Sequence, residues 1–412
     1  MKKSKAERVY LFMSGATTAF DSIMFAVMSL YFVQKVHLDP LQLVLVGTIL
    51  EGTILVFEIP TGVVADVFSR RLSILCGIFL LGITRCIQGA FPIAMAIFCT
   101  EVLVGIGYTF LSGATQAWLA DEVGEENVNG IFLRSGQINR LIGLPASLIG
   151  IGLGTISLAI PIVLGGALYL LLALFLLFAM PEEGFCPTPQ EERNTWQHLT
   201  QTLRDGIKAV QVSPILKVVV GVNLFVGLAS EGFDRLWEAH LLKNVAFPVF
   251  GHWQPVVWFG VLNVLVSLFS FIVVWGFGKR VQAANGNLKN TVRLLAGFNA
   301  VVILSLVLFA WATDFWMAIG LLMVRGAALS LIYPLFDAWV VQSVDPKVRA
   351  TVLSITSQGN ALGQVAGGPG IGAIGKYRSL KWALFGSALL QLPNLWLYRK
   401  AYQKEAEDEV IE

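Results

Sequence analysis

Apolar stretches of roughly twenty residues or more, separated by short polar segments, recur along the whole 412-residue chain. A helix needs about 20 residues to cross a hydrocarbon core about 30 Å thick. Each stretch therefore predicts one membrane-spanning helix, and together they predict an all-α membrane protein with about twelve transmembrane helices. The predicted spans are 9–34, 41–65, 72–90, 92–120, 132–155, 158–180, 218–243, 254–277, 291–311, 315–341, 350–374 and 380–398.

The longest polar interruption separates the first six stretches from the last six. It covers residues 181–213 and contains Pro181, Pro187 and Pro189 together with several charged residues. Proline-rich polar segments between periodic stretches are typical of linkers. We therefore predict an N-terminal six-helix bundle over 1–180, a cytoplasmic linker over 181–213, and a C-terminal six-helix bundle with a cytoplasmic tail over 214–412.

Short strings recur in the same order in the two groups of stretches. Phe20-Asp21 in the first stretch returns as Phe233-Asp234 in the seventh, 213 residues later. Three further matches have an offset of 221 residues. Ala117-Trp118 returns as Ala338-Trp339, and Gly105 returns as Gly326. Gln137 and Asn139 return as Gln358 and Asn360. The order predicts a duplicated six-helix unit and two pseudo-symmetric bundles. Repeats of this kind place a substrate site at the repeat interface, near the bilayer midplane.

The composition agrees with a lipid environment. Hydrophobic residues make up 56% of the chain and charged residues 14%, whereas soluble domains carry about 25% charged residues. The formal net charge of +2, without a basic patch interleaved with aromatics, gives no reason to expect nucleic acid as a partner. The four cysteines lack metal-binding spacing, so we expect neither a metal nor a cofactor.

The distribution of Lys and Arg predicts the orientation. Basic residues cluster in the N-terminal tail, at Arg70 and Arg71, in the linker, and in the tail after Arg399. Cytoplasmic loops carry an excess of Lys and Arg, so both termini are expected in the cytoplasm, with the chain in a bacterial inner membrane. This topology places Lys376 and Arg378 on the outer side, against the general bias.

Charged residues inside the predicted spans are the main functional candidates. A charge at a helix centre costs roughly 2.5–3.5 kcal/mol on the insertion scale. Counting six acids and three arginines leaves three carboxylates without a basic partner, and a spare carboxylate can carry a proton or bind a cationic substrate. The candidates for proton coupling and substrate contact are Asp21, Glu51, Glu101, Arg140, Glu231, Asp234, Arg235, Glu238 and Arg325.

Several of these candidates have predicted partners. Glu231, Asp234 and Glu238 follow i, i+3, i+7 spacing and share one helix face, and Arg235 is placed to neutralise Glu231 locally. Glu101 and a second arginine, Arg140, lie at comparable depth in consecutive stretches and are candidates for a pair. Structural salt bridges between helices remain the alternative to a transport role for all of these residues.

Uncharged polar and aromatic residues at similar depth are further cavity candidates. They either line a cavity or form hydrogen bonds and packing contacts between helices. These residues are Gln116, Trp118, Gln137, Asn139, Trp237, Trp339, Gln358 and Asn360.

A glycine, an acid and two arginines follow the second stretch, as Gly62, Asp66, Arg70 and Arg71. Such a cluster can latch one conformation and release it in another; simple positive-inside anchoring is the alternative. The segment resembles the Gly-x-x-x-Asp-x-x-Gly-Arg-Arg/Lys loop of the major facilitator superfamily, with Ser69 where that family usually has Gly. Further acids near the cytoplasmic ends are expected to act in gating or packing: Glu58, Asp121 and Asp337.

Shorter strings resemble the drug-efflux branch of that superfamily, which includes macrolide and tetracycline exporters. They are residues 57–62, 112–121 and 231–238, and residues 143–145 resemble the Gly/Pro-rich motif of exporters. In the fourth predicted span, 92–120, Gly105 and Gly107 match the family pattern, but Glu101 stands where an arginine is usual.

The resemblance implies a major facilitator fold and a monomeric secondary transporter that works by alternating access. With the surplus of acids, it predicts a proton-coupled antiporter that exports amphipathic cationic or zwitterionic drugs and so contributes to antibiotic resistance. Its partners would be the lipid bilayer, a small amphipathic substrate and protons, with the proton gradient as energy source. A symporter or uniporter of a nutrient or lipid, and a non-transporting membrane receptor, are the alternatives. No motif typical of an enzyme active site is found.

Overall fold

The computed structural model describes residues 2–186, 204, 208, 210–211, 213–248, 253–284, 287–344 and 349–411. Within these ranges the chain is helical, and the β-structure is limited to an isolated bridge between Ala246 and Asp314. The predicted all-α fold is confirmed. In chain order, the helices are α1 (Lys2–Leu30), α2 (Pro40–Val67), α3 (Arg70–Ala90), α4 (Ala94–Leu111), α5 (Ala114–Val123), α6 (Glu125–Gly154), α7 (Ala159–Ala179), α8 (Pro214–Asn244), α9 (Pro255–Ala284), α10 (Leu288–Trp311), α11 (Phe315–Ser343), α12 (Arg349–Tyr377), α13 (Leu380–Leu390) and α14 (Leu392–Ile411).

Nine helical segments of the described chain are long and apolar enough to cross a membrane. Two of the predicted spans are interrupted. Span 92–120 divides into α4 and α5 at Gly113, whose φ of 70° lies in the left-handed region, where glycine has no steric cost. Span 380–398 divides into α13 and α14 at Gln391. The first helical segment starts at Lys2, before the predicted span 9–34, and a π-helical turn over Tyr31–Lys35 continues α1 to within one residue of the predicted end.

Short polar residues at the ends of the apolar stretches begin several helices. The hydroxyls of Ser69, Ser213 and Ser379 each accept a hydrogen bond from the backbone N–H group of the residue three positions later in the chain. Asp314 and Asn287 do the same for α11 and α10. The first N–H groups of a helix have no partner inside it, so these side chains fix where each helix starts.

The chain divides into two compact units. Unit 1 comprises Met1–Leu38, Ile49–Thr195 and Val256–Gly260, and unit 2 comprises Asp39–Thr48, Trp196–Pro255 and Val261–Glu412. Most of the predicted linker over 181–213 lies outside the described residues; its first six residues pack within unit 1. The predicted boundaries at 180 and 214 stay a prediction.

The same pair of helices forms the tightest packing inside each unit. In unit 1, α1 packs along α6, and a Cβ on Gly150 would overlap the Ile23 carbonyl oxygen. In unit 2, α8 packs along α12, and a Cβ on Gly227 would overlap the Asn360 carbonyl oxygen. Small residues allow such close backbone approach in membrane helices, where dispersion rather than the hydrophobic effect holds helices together.

Candidate functional site

Asp21 lies on α1 beside a cavity of about 240 Å³ within unit 1. The Tyr169 hydroxyl of α7 donates to Asp21 Oδ1 over 2.8 Å, and the Phe20 ring packs edge-on against Tyr169. Among the described residues, no basic group lies within ion-pair distance of this carboxylate. The remaining polar atoms of the cavity are hydroxyls, from Tyr10, Ser14, Thr17, Tyr108 and Thr115.

Arg85 of α3 neutralises Glu101 of α4 in the buried part of unit 1. Its Nη1 lies 3.3 Å from Glu101 Oε1 and donates over 2.6 Å to Gln88 Oε1, while Gln88 Nε2 donates to the same Glu101 oxygen over 2.8 Å. The side chains of Arg85 and Glu101 are each 4% exposed. The Tyr31 hydroxyl donates to the Gln88 carbonyl over 2.6 Å. Glu101 is therefore held in a closed network of hydrogen bonds.

This network corrects the predicted pairing of Glu101 with Arg140. Arg140 is exposed on α6, because depth along a helix does not determine which face a side chain occupies. Arg85 was missed, although a charge inside span 72–90 was a sufficient signal. With Arg85, the count becomes six acids against four arginines, so two carboxylates rather than three exceed the basic residues.

Asp234 of α8 lies beside a second cavity, of about 180 Å³, within unit 2. Arg325 of α11 donates from Nη2 to Asp234 Oδ1 over 3.5 Å, and its guanidinium lies 3.9 Å from the centre of the Phe233 ring. The Asp234 side chain is 55% exposed and that of Arg325 19%. The pair is therefore open to the cavity on the acid side and packed on the arginine side.

The lining of this cavity includes polar side chains that sequence reasoning missed. Asn299 of α10 is 4% exposed, and its Oδ1 has no hydrogen-bond partner among the described residues. Tyr333, Asn223 and Ser230 also contribute to the wall. A buried amide beside a cavity, with an oxygen that has no hydrogen-bond partner in the described part of the chain, is a candidate to accept a hydrogen bond from a substrate or water. The uncharged candidates predicted from depth along the spans did not include them, because depth does not show which polar side chains face a cavity.

Glu231 forms the predicted pair with Arg235 on α8. The Arg235 Nε donates to Glu231 Oε1 over 2.9 Å, and the Glu231 side chain is 3% exposed. The carboxylate lies directly against Gly47 of α2, where a Cβ would overlap it. The burial of Glu231 and its pairing with Arg235 are typical of an ion pair that stabilises the fold. Glu238 and Glu51 are half-buried on α8 and α2.

Asn139 and Asn360, which correspond in the repeat, both connect the helices of the tightly packed pairs. Asn139 Nδ2 donates to Ser14 Oγ of α1 over 2.9 Å. Asn360 Nδ2 donates to the Asn223 carbonyl of α8 over 3.3 Å. Gln116 and Gln137 are exposed, while Gln358 and Trp237 are half-buried.

Trp118 and Trp339, predicted as cavity residues, line neither the Asp21 cavity nor the Asp234 cavity. Trp118 is 1% exposed and donates its indole N–H to the Pro181 carbonyl over 2.7 Å. Trp339 is 0% exposed and packs between Phe336 and Tyr398. Both side chains point into the core of their own unit, a direction that position along the span did not reveal.

The residues of the predicted gate motif gather at the start of α3. Arg70 donates to the Asp121 carboxylate of α5, and Asp66 lies 3.8 Å from the same guanidinium. Ser69 Oγ donates to the Glu182 carboxylate at 2.7 and 2.9 Å, and the Arg71 backbone N–H donates to Glu182 over 2.9 Å.

Ser69 thus has two functions that the usual glycine cannot perform. It caps α3 and binds Glu182, a residue that the sequence interpretation assigned only to the linker. Glu58 and Asp337 are exposed, and the Ser112 hydroxyl lies 3.5 Å from Glu58. A Cβ on Gly62 would meet no atom within 4 Å.

The residues that the structure describes contain no group of three or more His, Cys, Asp or Glu side chains placed to hold a metal ion. The polar side chains that line the two cavities are carboxylates, one guanidinium, amides and hydroxyls. Carboxylates bind protons and cations, the guanidinium binds anionic groups, and amides and hydroxyls bind hydrogen-bonding solutes.

Comparisons with known proteins bear on the family and the fold. The family model of the Major Facilitator Superfamily matches residues 11–367. YxaM of Bacillus subtilis (strain 168), an uncharacterized MFS-type transporter, is 22% identical over 212 residues, which are 52% of this chain and 53% of that protein. The match thus spans about half the length of this relative.

Two solved structures are similar over nearly the whole chain. The nucleoside transporter NupG has a TM-score of 0.73 at 15% identity, covering 97% of this chain and 99% of that one. A bacterial homolog of the human lysosomal transporter Spinster, inward-facing and occupied, has a TM-score of 0.73 at 12% identity, covering 98% and 97%. The match of the family model to most of the sequence, together with this shared fold, shows that the chain belongs to the Major Facilitator Superfamily and is a multi-pass membrane transporter.

Proposed function

We propose that this transporter is a proton-coupled antiporter that exports amphipathic cationic or zwitterionic compounds by alternating access. The observation that carries the proposal is the environment of Asp21. Glu101, Glu231 and Asp234 each have an arginine partner, whereas Asp21 has the neutral Tyr169 hydroxyl and a cavity. Arg85 acts on Asp21 electrostatically without forming an ion pair with it. A carboxylate whose direct contacts are neutral can exchange a proton for a cationic group.

The arginine in unit 2 supports a binding role for the second cavity. Arg325 is already engaged by Asp234 and by the Phe233 ring, so an anionic substrate would have to compete with both. A zwitterion or cation can instead approach the exposed side of Asp234. Aromatic and apolar residues around the pair suit the apolar part of an amphipathic compound.

A second candidate is proton-linked uptake of a polar nutrient. The unit 1 cavity favours it, because hydroxyl groups dominate its polar lining and hydroxyls recognise polar solutes by hydrogen bonds. NupG, a nucleoside transporter, shares the fold, but fold similarity at this identity does not extend to substrate. The direction of proton flow relative to substrate flow distinguishes the two candidates.

The test is reconstitution of the purified protein in proteoliposomes with a pH-sensitive dye inside. A panel of lipophilic cations and nucleosides is added as an outward or inward gradient, and substrate-driven pH changes are recorded. Antiport predicts that protons and substrate move in opposite directions. Proton movement in the same direction as the substrate would overturn export and support uptake.

Variants assign the coupling residue. Asp21→Asn should abolish substrate-driven proton movement and leave binding of an uncharged analogue intact, since an amide still accepts the Tyr169 hydrogen bond. Glu125→Gln, which changes an exposed acid in the first turn of α6 outside both cavities, is the matched control and should behave as wild type. Unchanged proton coupling in Asp21→Asn would disprove the assignment.

A further inference from the structure

A third cavity lies within unit 2, between the start of α8 and the neighbouring part of α14. Its volume is about 370 Å³, larger than either cavity next to the acids and within the range of ligand pockets. Its apolar wall comes from Pro214, Ile215, Val218, Leu397 and Ala401. The proposed transport cycle uses none of these residues.

The polar lining of this cavity is basic. Three of its residues are lysines, Lys217 on α8 and Lys400 and Lys404 on α14, and none of the lining residues in the described part of the chain is acidic. Lys217 and Lys400 are exposed, so their ammonium groups are accessible to an anion entering from outside the protein.

An aromatic residue marks the depth of the cavity relative to the bilayer. Trp396 is 56% exposed, and the Lys400 ammonium lies 4.0 Å from the centre of its ring. Exposed tryptophans of membrane helices lie at the headgroup level, and a lysine one turn away reaches into the same layer. The cavity therefore joins an apolar wall to a cluster of positive charge at the height of lipid phosphates.

We propose that this cavity binds the headgroup of an anionic phospholipid. The phosphate would lie among Lys217, Lys400 and Lys404, and the first carbons of the acyl chains would contact Ile215, Val218 and Leu397. Basic pockets between membrane helices on the cytoplasmic side recognise anionic headgroups by the same combination of charge and apolar contact. The proposal is independent of substrate and coupling.

The test measures lipid retained by the purified, intact transporter in native mass spectrometry, with phosphatidylglycerol and phosphatidylcholine supplied in turn. Wild type should retain phosphatidylglycerol in preference to phosphatidylcholine. Lys217→Gln/Lys400→Gln should weaken phosphatidylglycerol binding about tenfold, because each lysine near an anionic headgroup contributes to affinity. Lys217→Arg/Lys400→Arg keeps both charges and should retain the lipid, which separates loss of binding from loss of folding.

The matched control removes two charges elsewhere in unit 2. Lys243→Gln/Arg378→Gln removes two exposed charges at the C-terminal ends of α8 and α12, away from the cavity lining, and it should retain phosphatidylglycerol as wild type does. Equal loss in both double variants would overturn the proposal in favour of a diffuse charge effect. Displacement of the lipid by millimolar glycerol 3-phosphate or inorganic phosphate would overturn it in favour of a soluble phosphate ligand.

Discussion

Asp21 and Asp234 occupy corresponding positions in the repeat, but their surroundings differ. Asp21 accepts a hydrogen bond from the neutral Tyr169, and the buried Arg85 of unit 1 forms its ion pair with Glu101. Asp234 itself pairs with Arg325 of unit 2. In unit 1 the ion pair makes no direct contact with the cavity acid, although the Arg85 charge acts on Asp21. In unit 2 the cavity acid is itself a member of the ion pair.

This difference determines how easily each ion pair can rearrange. A buried and fully hydrogen-bonded ion pair is costly to disturb, since breaking it leaves an uncompensated charge in a low dielectric. A pair that is half open to water can exchange partners at a smaller cost. By this argument, the Arg85 network stabilises unit 1, and the Asp234–Arg325 pair is available to rearrange around a substrate.

The largest expected effect is on the buried pair of unit 1. Arg85→Met should lower the free energy of unfolding by about 3–5 kcal/mol, because Glu101 is left buried without its counter-charge. Denaturant titration in detergent micelles measures the change. Arg85→Met/Glu101→Met should recover most of the loss, since replacement of both partners by apolar groups is often close to neutral.

The matched control for that variant is an exposed ion pair in the same unit. Arg134 lies 2.6 Å from Glu7, with 67% of its side chain exposed. Arg134→Met should cost about 0–1 kcal/mol. Similar losses in Arg85→Met and Arg134→Met would contradict the structural role of the Arg85 network.

A smaller effect is expected from helix caps that differ between the units. Ser69 caps α3 and also binds the Glu182 carboxylate, whereas Ser213 caps α8. Ser69→Ala should cost about 2 kcal/mol, the sum of a cap and a hydrogen bond to a charged group. Ser213→Ala should cost about 1 kcal/mol by the cap alone. Thermal denaturation of both variants in one detergent compares them directly, and Glu182→Gln should reduce the difference.

The sequence was sufficient for features that depend on one helix at a time. Hydropathy predicted the helices, and the Phe20-Asp21 and Phe233-Asp234 strings predicted the repeat. The i, i+4 spacing of Glu231 and Arg235 predicted a contact that the structure contains. The first inference needs only the length of the apolar stretches, the second the recurrence of short strings along the chain, and the third the helical period, all of which can be read from the sequence.

Features that depend on two helices could not be predicted in this way. The partner of Glu101 is set by the rotation of α3 and α4 about their axes, and that rotation follows from packing. The rotation of the helices also decides where the Trp118 and Trp339 side chains point. The sequence predicted the depth of these residues along their helices but not the face of the helix from which they project. The role of Ser69 was hidden because its partner, Glu182, lies 113 residues away in the chain.

The open pair of unit 2 should respond more weakly than the closed pair of unit 1. Arg325→Met is expected to lower the free energy of unfolding by about 1 kcal/mol, close to the range of exposed pairs, because water solvates the Asp234 carboxylate that remains. The same denaturant titration that is applied to Arg85→Met measures it. Should Arg325→Met cost as much as Arg85→Met, the contrast between the two units would be lost.

The smallest expected effect lies at the rim of unit 2, where Asp39 and Lys376 approach to 2.9 Å at the ends of α2 and α12. Burial raises the pKa of Asp39, but the Gln42 backbone N–H and Lys376 oppose it and hold that pKa below its usual range. A carboxyl group whose folded-state pKa is lowered stabilises the fold above its unfolded pKa of about 3.9 and loses that contribution as the pH falls through the folded value. The melting temperature of wild type should therefore decline more steeply below about pH 4 than that of Lys376→Gln, in which part of the shift is absent. Parallel acid profiles for the two proteins would show that the contact does not contribute to stability, and Lys243→Gln, at the end of α8, controls for the loss of one positive charge.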